Sequence, residues 1–119
     1  MERQNYTNYH VVLVDDVSTD ESHEQYYQLI KASYPRLRSR VTLIHNEKPA
    51  YSLANKVLMV YEYCNPGDIV ADLDSDDELI GRQVLKVINA VYQQNPGTWI
   101  VNSNYIMFGG TAPRTGVSR

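Results

Sequence analysis

The stretch that decides the fold is Gly67-Asp68-Ile69-Val70-Ala71-Asp72-Leu73-Asp74-Ser75-Asp76-Asp77-Glu78. An apolar run of strand length ends there in a cluster of carboxylates that contains no basic residue. Two like charges about 4 Å apart repel by about 4 kcal/mol at the effective dielectric of a protein surface. The cluster therefore either spreads into solvent or holds a cation between its carboxylates.

Apolar runs and helical patterns alternate on both sides of this stretch. The sequence predicts strands, rich in β-branched residues, at residues 10–14, 41–44, 68–73 and 98–101. Ser18 and Glu21 form a capping-box pattern that opens a first helix. Apolar residues then recur at helical spacing over residues 52–63 and 78–94. This alternation predicts an α/β fold with a mainly parallel sheet flanked by helices.

Acidic residues follow two of the predicted strands at their carboxyl ends. Asp15-Asp16 ends the first strand, and the residues from Asp74 to Asp77 follow the third. Ligands of parallel α/β sheets bind beyond the carboxyl ends of the strands, so this position favours a functional site. Turns after strands also favour Asp for conformational reasons.

Composition limits the class of protein. A chain of 119 residues forms one domain at most, and its net charge of −3 argues against a nucleic-acid partner. No apolar run approaches the roughly 20 residues of a membrane span, and the polar start lacks the apolar core of a signal peptide. The single Cys64 fits a reducing compartment. We therefore expect a cytoplasmic protein with no membrane span in this chain; membrane association of the full-length protein is the alternative.

Asp74 and Asp76 are the candidates for binding a cation. Residues two apart in an extended segment project to the same face, so these carboxylates can converge on Mg²⁺ or Mn²⁺. Such an ion takes one or two carboxylates and then the oxygens of a substrate diphosphate. The alternative is that the cluster is the acidic N-terminus of a helix from Glu78, which the helix dipole favours.

A phosphoryl-accepting receiver domain is a rival explanation for the same residues. Asp15-Asp16 would be its acidic pair, and Asp74 would be the phosphoacceptor at the end of a later strand. Against this, the segment between them is long, and no Lys follows the last predicted strand.

The order of the motifs resembles the family 2 glycosyltransferases, which are inverting enzymes of the GT-A fold. Val-Val-Leu-Val-Asp-Asp-Val-Ser-Thr-Asp, residues 11–20, is similar to the family's strand ending in Asp-Asp-Gly-Ser-Thr-Asp, with Val17 in place of Gly. Asn46 and Ala54-Asn55 resemble a loop and helix of the family, and residues 67–77 resemble its Asp-x-Asp strand. The likeness covers about residues 4–108.

The resemblance implies a role for each matching acidic residue. Asp16 would accept a hydrogen bond from the nucleotide base, uracil, and Asp74 would lie near the ribose and diphosphate. Asp76, together with Asp74, would ligate Mn²⁺ or Mg²⁺, and Asp77 would support the donor site. The implied reaction transfers a sugar from a UDP-sugar to an acceptor hydroxyl with inversion. The acceptor is unknown.

The same resemblance predicts an incomplete domain. Residues 1–108 would be part of a nucleotide-sugar-binding domain that is truncated at both ends, and residues 109–119 would be a loose tail. The family's catalytic base lies in a later half, so no catalytic residue is nominated and the isolated chain is expected to be inactive. A silent remnant that folds only against another chain is a further alternative. His10, His23 and His45 are too scattered in the sequence to make a metal site and are interpreted as structural.

Overall fold

A computed structural model describes Met1, residues 3–20 and residues 22–102 of the chain. Within these ranges the elements are β1 (Val11–Asp15), α1 (Ser22–Ser33), α2 (Pro35–Arg38), β2 (Val41–His45), α3 (Tyr51–Tyr63) and α4 (Val84–Gln94). The chain divides into two compact units, Met1–Lys86 and Val87–Arg119. Of the helices described, none has the length and apolar content to cross a bilayer. The predicted loose tail lies outside the described residues.

β1 and β2 pair in parallel, and their register aligns the ends of the two strands. Val11 pairs with Val41 at one end, and Asp15 pairs with His45 at the other. Both strands consist mainly of half-buried β-branched and apolar residues, which pack well on a pleated surface. The prediction of an α/β fold with a parallel sheet is confirmed, and the carboxyl ends of the two strands form a common edge.

The first unit is also held together at its amino-terminal segment by a buried side chain. Gln4 is 5% exposed; its Nε2 donates to the carbonyl oxygen of Gly81 at 2.7 Å, and its Oε1 accepts from the backbone N–H of Leu85 at 3.2 Å. Leu85 lies in the first turn of α4, where N–H groups lack a partner within the helix. Gln4 therefore caps the start of α4 from a distant part of the sequence.

The prediction of strands at residues 68–73 and 98–101 is wrong, because the structure has neither a strand nor a helix at either segment. Asp68 instead closes a turn with Asn65, whose backbone N–H donates to the Asp68 carboxylate at 2.7 Å. Val70 is 55% exposed and Trp99 is 92% exposed. An apolar run becomes a strand only when a neighbouring strand accepts its backbone hydrogen bonds, and none of the described residues supplies that neighbour.

Two helices also begin later in the chain than predicted. The last helix begins at Val84 and not near Glu78, because a turn at residues 74–77 and a left-handed Gly81 (φ 93°) interrupt the segment before it. α1 begins at Ser22, whereas Ser18 donates its backbone N–H to the Asp15 carboxylate at 2.9 Å. Glu21, the other half of the predicted capping box, lies outside the described residues.

Val17 holds a backbone conformation that a β-branched residue rarely adopts. Its φ is 67°, directly after the acidic pair that ends β1. A left-handed conformation costs an L-residue about 1–2 kcal/mol, whereas Gly adopts it without a steric cost. The turn after β1 is therefore strained at the position where the motif resemblance expects Gly.

We predict that Val17→Gly stabilises the chain by about 0.5–1 kcal/mol, since the relief of strain exceeds the entropy that Gly adds to the unfolded state. Urea denaturation followed by circular dichroism measures the change. Val12→Gly, within β1, is the control and should destabilise. A loss of stability in Val17→Gly comparable to that of the control would contradict the strain at this position.

Candidate functional site

Asp16 joins the end of β1 to the loop and helix that follow β2. Its Oδ1 accepts from the side-chain Nδ2 of Asn46 at 2.7 Å and from the backbone N–H of Ala50 at 2.8 Å. Its Oδ2 accepts from the backbone N–H of Tyr51 at 2.8 Å. The Nδ2 of Asn46 also donates to Oδ1 of the buried Asn55 at 2.8 Å. The motif at residues 11–20 and the motif that contains Asn46 and Asn55 are thus joined in one hydrogen-bond network.

These hydrogen bonds stabilise the ionised form of Asp16. The backbone N–H of Ala50 contributes most and the side chain of Asn46 comes next, and together with the other bonds they lower the pKa of Asp16 to about 2. The carboxylate is therefore charged throughout the physiological range. It is also held in one orientation by donors from the start of α3.

A second cluster of polar side chains lies at the same edge of the sheet. Nδ1 of His45 lies 2.8 Å from Oδ2 of Asp15, its register partner, and Nδ1 of His23 lies 3.9 Å from the same oxygen. The two imidazole rings have centroids 4.8 Å apart and are tilted by 49°. Hydrogen bonds from Ser18 and from His45 lower the pKa of Asp15. The prediction that His23 and His45 are too scattered to share a site was wrong, because the fold brings both side chains to Asp15.

The acidic turn, residues 74–77, is closed by a hydrogen bond from the backbone N–H of Asp77 to the carbonyl oxygen of Asp74 at 3.0 Å. Asp74, Asp76 and Asp77 are all exposed. α4 begins at Val84, so the explanation of this cluster as an acidic helix start is wrong. The carboxylates are available to solvent and to a cation, without a helix dipole to account for them.

A cation from α3 reaches the residues just before the acidic turn. Nζ of Lys56 lies 2.6 Å from Oδ2 of Asp72, and both side chains are exposed. The pKa of Lys56 is raised, mainly by its hydrogen bond to Asp72, with a smaller contribution from the charge of Asp74. Sequence reasoning missed this partner, because a lysine sixteen residues away enters the cluster only once α3 and the following segment have folded.

The structure thus groups the predicted site residues in two places within the first unit. Asp16 belongs to the network at the start of α3, while Asp74, Asp76 and Asp77 belong to the acidic turn; among the described residues no hydrogen bond links Asp16 to that turn. An open cavity of about 290 Å³ lies at the opposite end of α3, lined by Val60, Tyr61, Cys64, Asn65 and Pro66. It contains none of the predicted site residues.

The pKa of Asp16 predicts an acid dependence of stability. Because the folded-state pKa lies below the ordinary value of 3.8, the Asp16 hydrogen bonds stabilise the fold above about pH 4. That contribution is lost as the pH falls from about 4 toward 2. We expect Asp16→Asn to be less stable than the wild type at pH 7 and to lose less stability between pH 4 and pH 2.

Urea denaturation at pH 7, 4 and 2.5 measures this difference. Glu62→Gln removes an exposed carboxylate from α3 and is the control, which should keep the wild-type acid dependence. If Asp16→Asn and the wild type lose the same stability on acidification, then protonation of Asp16 does not contribute to the acid dependence of folding.

Comparison with known proteins gives a consistent result. The sequence pattern of the glycosyl transferase family 2 matches residues 1–114, which is nearly the whole chain. A curated protein of Escherichia coli (strain K12), "Putative colanic acid biosynthesis glycosyl transferase WcaA", is 35% identical over 78 residues. That match covers 64% of this chain and 25% of the relative, so the chain aligns with about a quarter of the relative's length. No solved structure matches the chain.

The family match leaves the receiver-domain hypothesis without support, and the predicted strand that would have ended in its phosphoacceptor is not present at residues 68–73. The parallel βαβ arrangement and the motif pieces around Asp16 agree with the sequence match. This chain belongs to the glycosyl transferase family 2.

Proposed function

We propose that this chain carries the donor-binding part of a glycosyltransferase that uses a UDP-sugar. The observation that carries the proposal is the network in which Asp16, Asn46 and Asn55 meet at the carboxyl edge of the sheet. Family membership supports a sugar-transfer reaction, and the fixed, ionised Asp16 supplies an acceptor for a nucleotide base. The full protein would transfer the sugar to an acceptor hydroxyl with inversion.

The chemistry of Asp16 favours uracil over cytosine. A carboxylate has about four acceptor positions, and backbone and side-chain donors among the described residues use three of them. The remaining position can accept the N3–H of uracil. Cytosine presents an unprotonated N3 there, and two facing acceptors repel. A site that offers one remaining acceptor position in this way favours the base that carries a proton on N3.

Asp76 and Asp74 fit a hard divalent cation. Both are exposed carboxylates in one tight turn, and oxygen ligands of this kind suit Mn²⁺ and Mg²⁺. When bound, the ion would stabilise negative charge on the departing diphosphate. Asp77 would support the donor from the same turn. Lys56 pairs with Asp72, and the carboxylates of the turn itself remain exposed.

Calorimetric titration of UDP and CDP, each with and without Mn²⁺, tests the proposal. UDP should bind better with Mn²⁺ than without it, and CDP should bind at least about tenfold more weakly, because an unsatisfied charged acceptor costs more than 1 kcal/mol. Asp76→Asn should remove the effect of Mn²⁺. Asp16→Asn should weaken UDP binding and reduce the preference over CDP.

Glu62→Gln is the matched control and should bind like the wild type. UDP binding that is independent of Mn²⁺ and unchanged in Asp76→Asn would contradict the metal role of the turn. Equal binding of UDP and CDP would contradict the base-binding role of Asp16. Absence of any nucleotide binding would contradict the proposed function as a whole.

A further inference from the structure

Three side chains from three elements converge on one point at the carboxyl edge of the sheet. Asp15 ends β1, His45 ends β2, and His23 lies in the first turn of α1. One possible ligand atom from each lies within 4.8 Å of the others. The Nδ1 atoms of both imidazoles lie nearest to the same carboxylate oxygen, Oδ2 of Asp15.

We propose that Asp15, His23 and His45 form a binding site for a divalent transition metal ion of the zinc type. This site is separate from the one proposed at Asp76 and Asp74, and it does not depend on the donor-binding function. Its ligands come from residues to which the family resemblance gives no metal role.

A simple structural explanation accounts for only part of the cluster. A hydrogen bond from His45, at 2.8 Å, already satisfies Oδ2 of Asp15, and Ser18 donates to Oδ1 at 2.9 Å. The second imidazole, His23, is not needed for that purpose, and its ring lies against the ring of His45. Two imidazoles that share one carboxylate are explained by an ion that takes all three as ligands.

The ligand set determines the class of ion. Two imidazole nitrogens and one carboxylate oxygen are a common zinc-binding set, in which water takes the fourth, open position. Mg²⁺ and Ca²⁺ prefer an all-oxygen shell, so this site would discriminate against them. The bond from the Ser18 N–H fixes the Asp15 carboxylate from behind, as partners of metal ligands commonly do.

Binding requires a modest rearrangement of the cluster, in which the 2.8 Å between His45 Nδ1 and Asp15 Oδ2 widens and the longer separations shorten. Bonds of about 2.0–2.1 Å around a tetrahedral Zn²⁺ place neighbouring ligand atoms about 3.4 Å apart. The widest separation here is within 4.8 Å, and His45 is exposed while His23 is half-buried, so rotation of the imidazoles can close the difference. A bound ion would tie the ends of both strands to the start of α1 and stabilise the folded chain.

Titration of the full chain with Co²⁺ and then Zn²⁺ tests this site by visible absorption and by thermal unfolding. The expected result is one Co²⁺ with the intense absorption of a tetrahedral ion, displaced by Zn²⁺ and not by Mg²⁺, and a Zn²⁺-dependent rise in melting temperature; Co²⁺ at the all-oxygen site of the acidic turn would absorb only weakly. His23→Gln and His45→Gln should each weaken binding by about tenfold or more.

The chain offers matched controls. His10 precedes β1 at the opposite end of the sheet and contacts Thr42, so His10→Gln should retain wild-type affinity. Cys64→Ser, which removes the single thiol, and Asp76→Asn should retain it as well. Unchanged Co²⁺ affinity in Asp76→Asn would show that this site differs from the metal site proposed at the acidic turn. If the donor-metal proposal fails, the Co²⁺ spectrum of the histidine site is unaffected.

If a histidine variant does not fold, NMR of the wild-type imidazoles decides the question. Zn²⁺ should shift the signals of His23 and His45 and leave those of His10 unchanged. The proposal is overturned if no imidazole shifts, if His10 shifts equally, or if Mg²⁺ displaces Co²⁺ as well as Zn²⁺ does. Equal loss of affinity in His10→Gln would also overturn it.

Discussion

The site depends on the carboxylate of Asp16, which completes the start of α3. The first N–H groups of a helix have no partner within it, and Ala50, at the N-cap position, supplies no side-chain cap. Asp16 accepts from Ala50 and Tyr51 and so caps α3 from the end of β1. Its negative charge also suits the positive end of the helix dipole. Because these hydrogen bonds tie Asp16 to the start of α3, its carboxylate is held in a fixed orientation, as binding sites require.

A positive charge of the protein itself offsets part of the repulsion between the crowded carboxylates. Lys56 pairs with Asp72, which lies just before the acidic turn. Exposed ion pairs contribute little to stability, so this contact positions the segment more than it stabilises the fold. The turn that follows keeps its carboxylates exposed and is not the start of a helix. The cation proposed above would offset the repulsion between the carboxylates of Asp74, Asp76 and Asp77.

Local patterns predicted those elements whose stability is mostly local or whose partner is nearby. The runs at residues 10–14 and 41–44 became β1 and β2 with ends shifted by one residue, and the helix at residues 52–63 begins one residue earlier. The apolar run at residues 68–73 failed as a strand, since a strand exists only beside another strand. The long helix began six residues later than predicted because Gly81 and the preceding turn interrupt it.

The sequence by itself determined the family, the parallel α/β arrangement, and the motif residues Asp16, Asn46 and Asn55, because these follow from local order and residue type. Tertiary structure alone decided which side chains share a site. Strand register placed His45 opposite Asp15, and the position of α1 added His23. The path of the chain after α3 brought Asp72 to Lys56. Contacts between residues far apart in sequence depend on how the elements pack, and no local pattern encodes that.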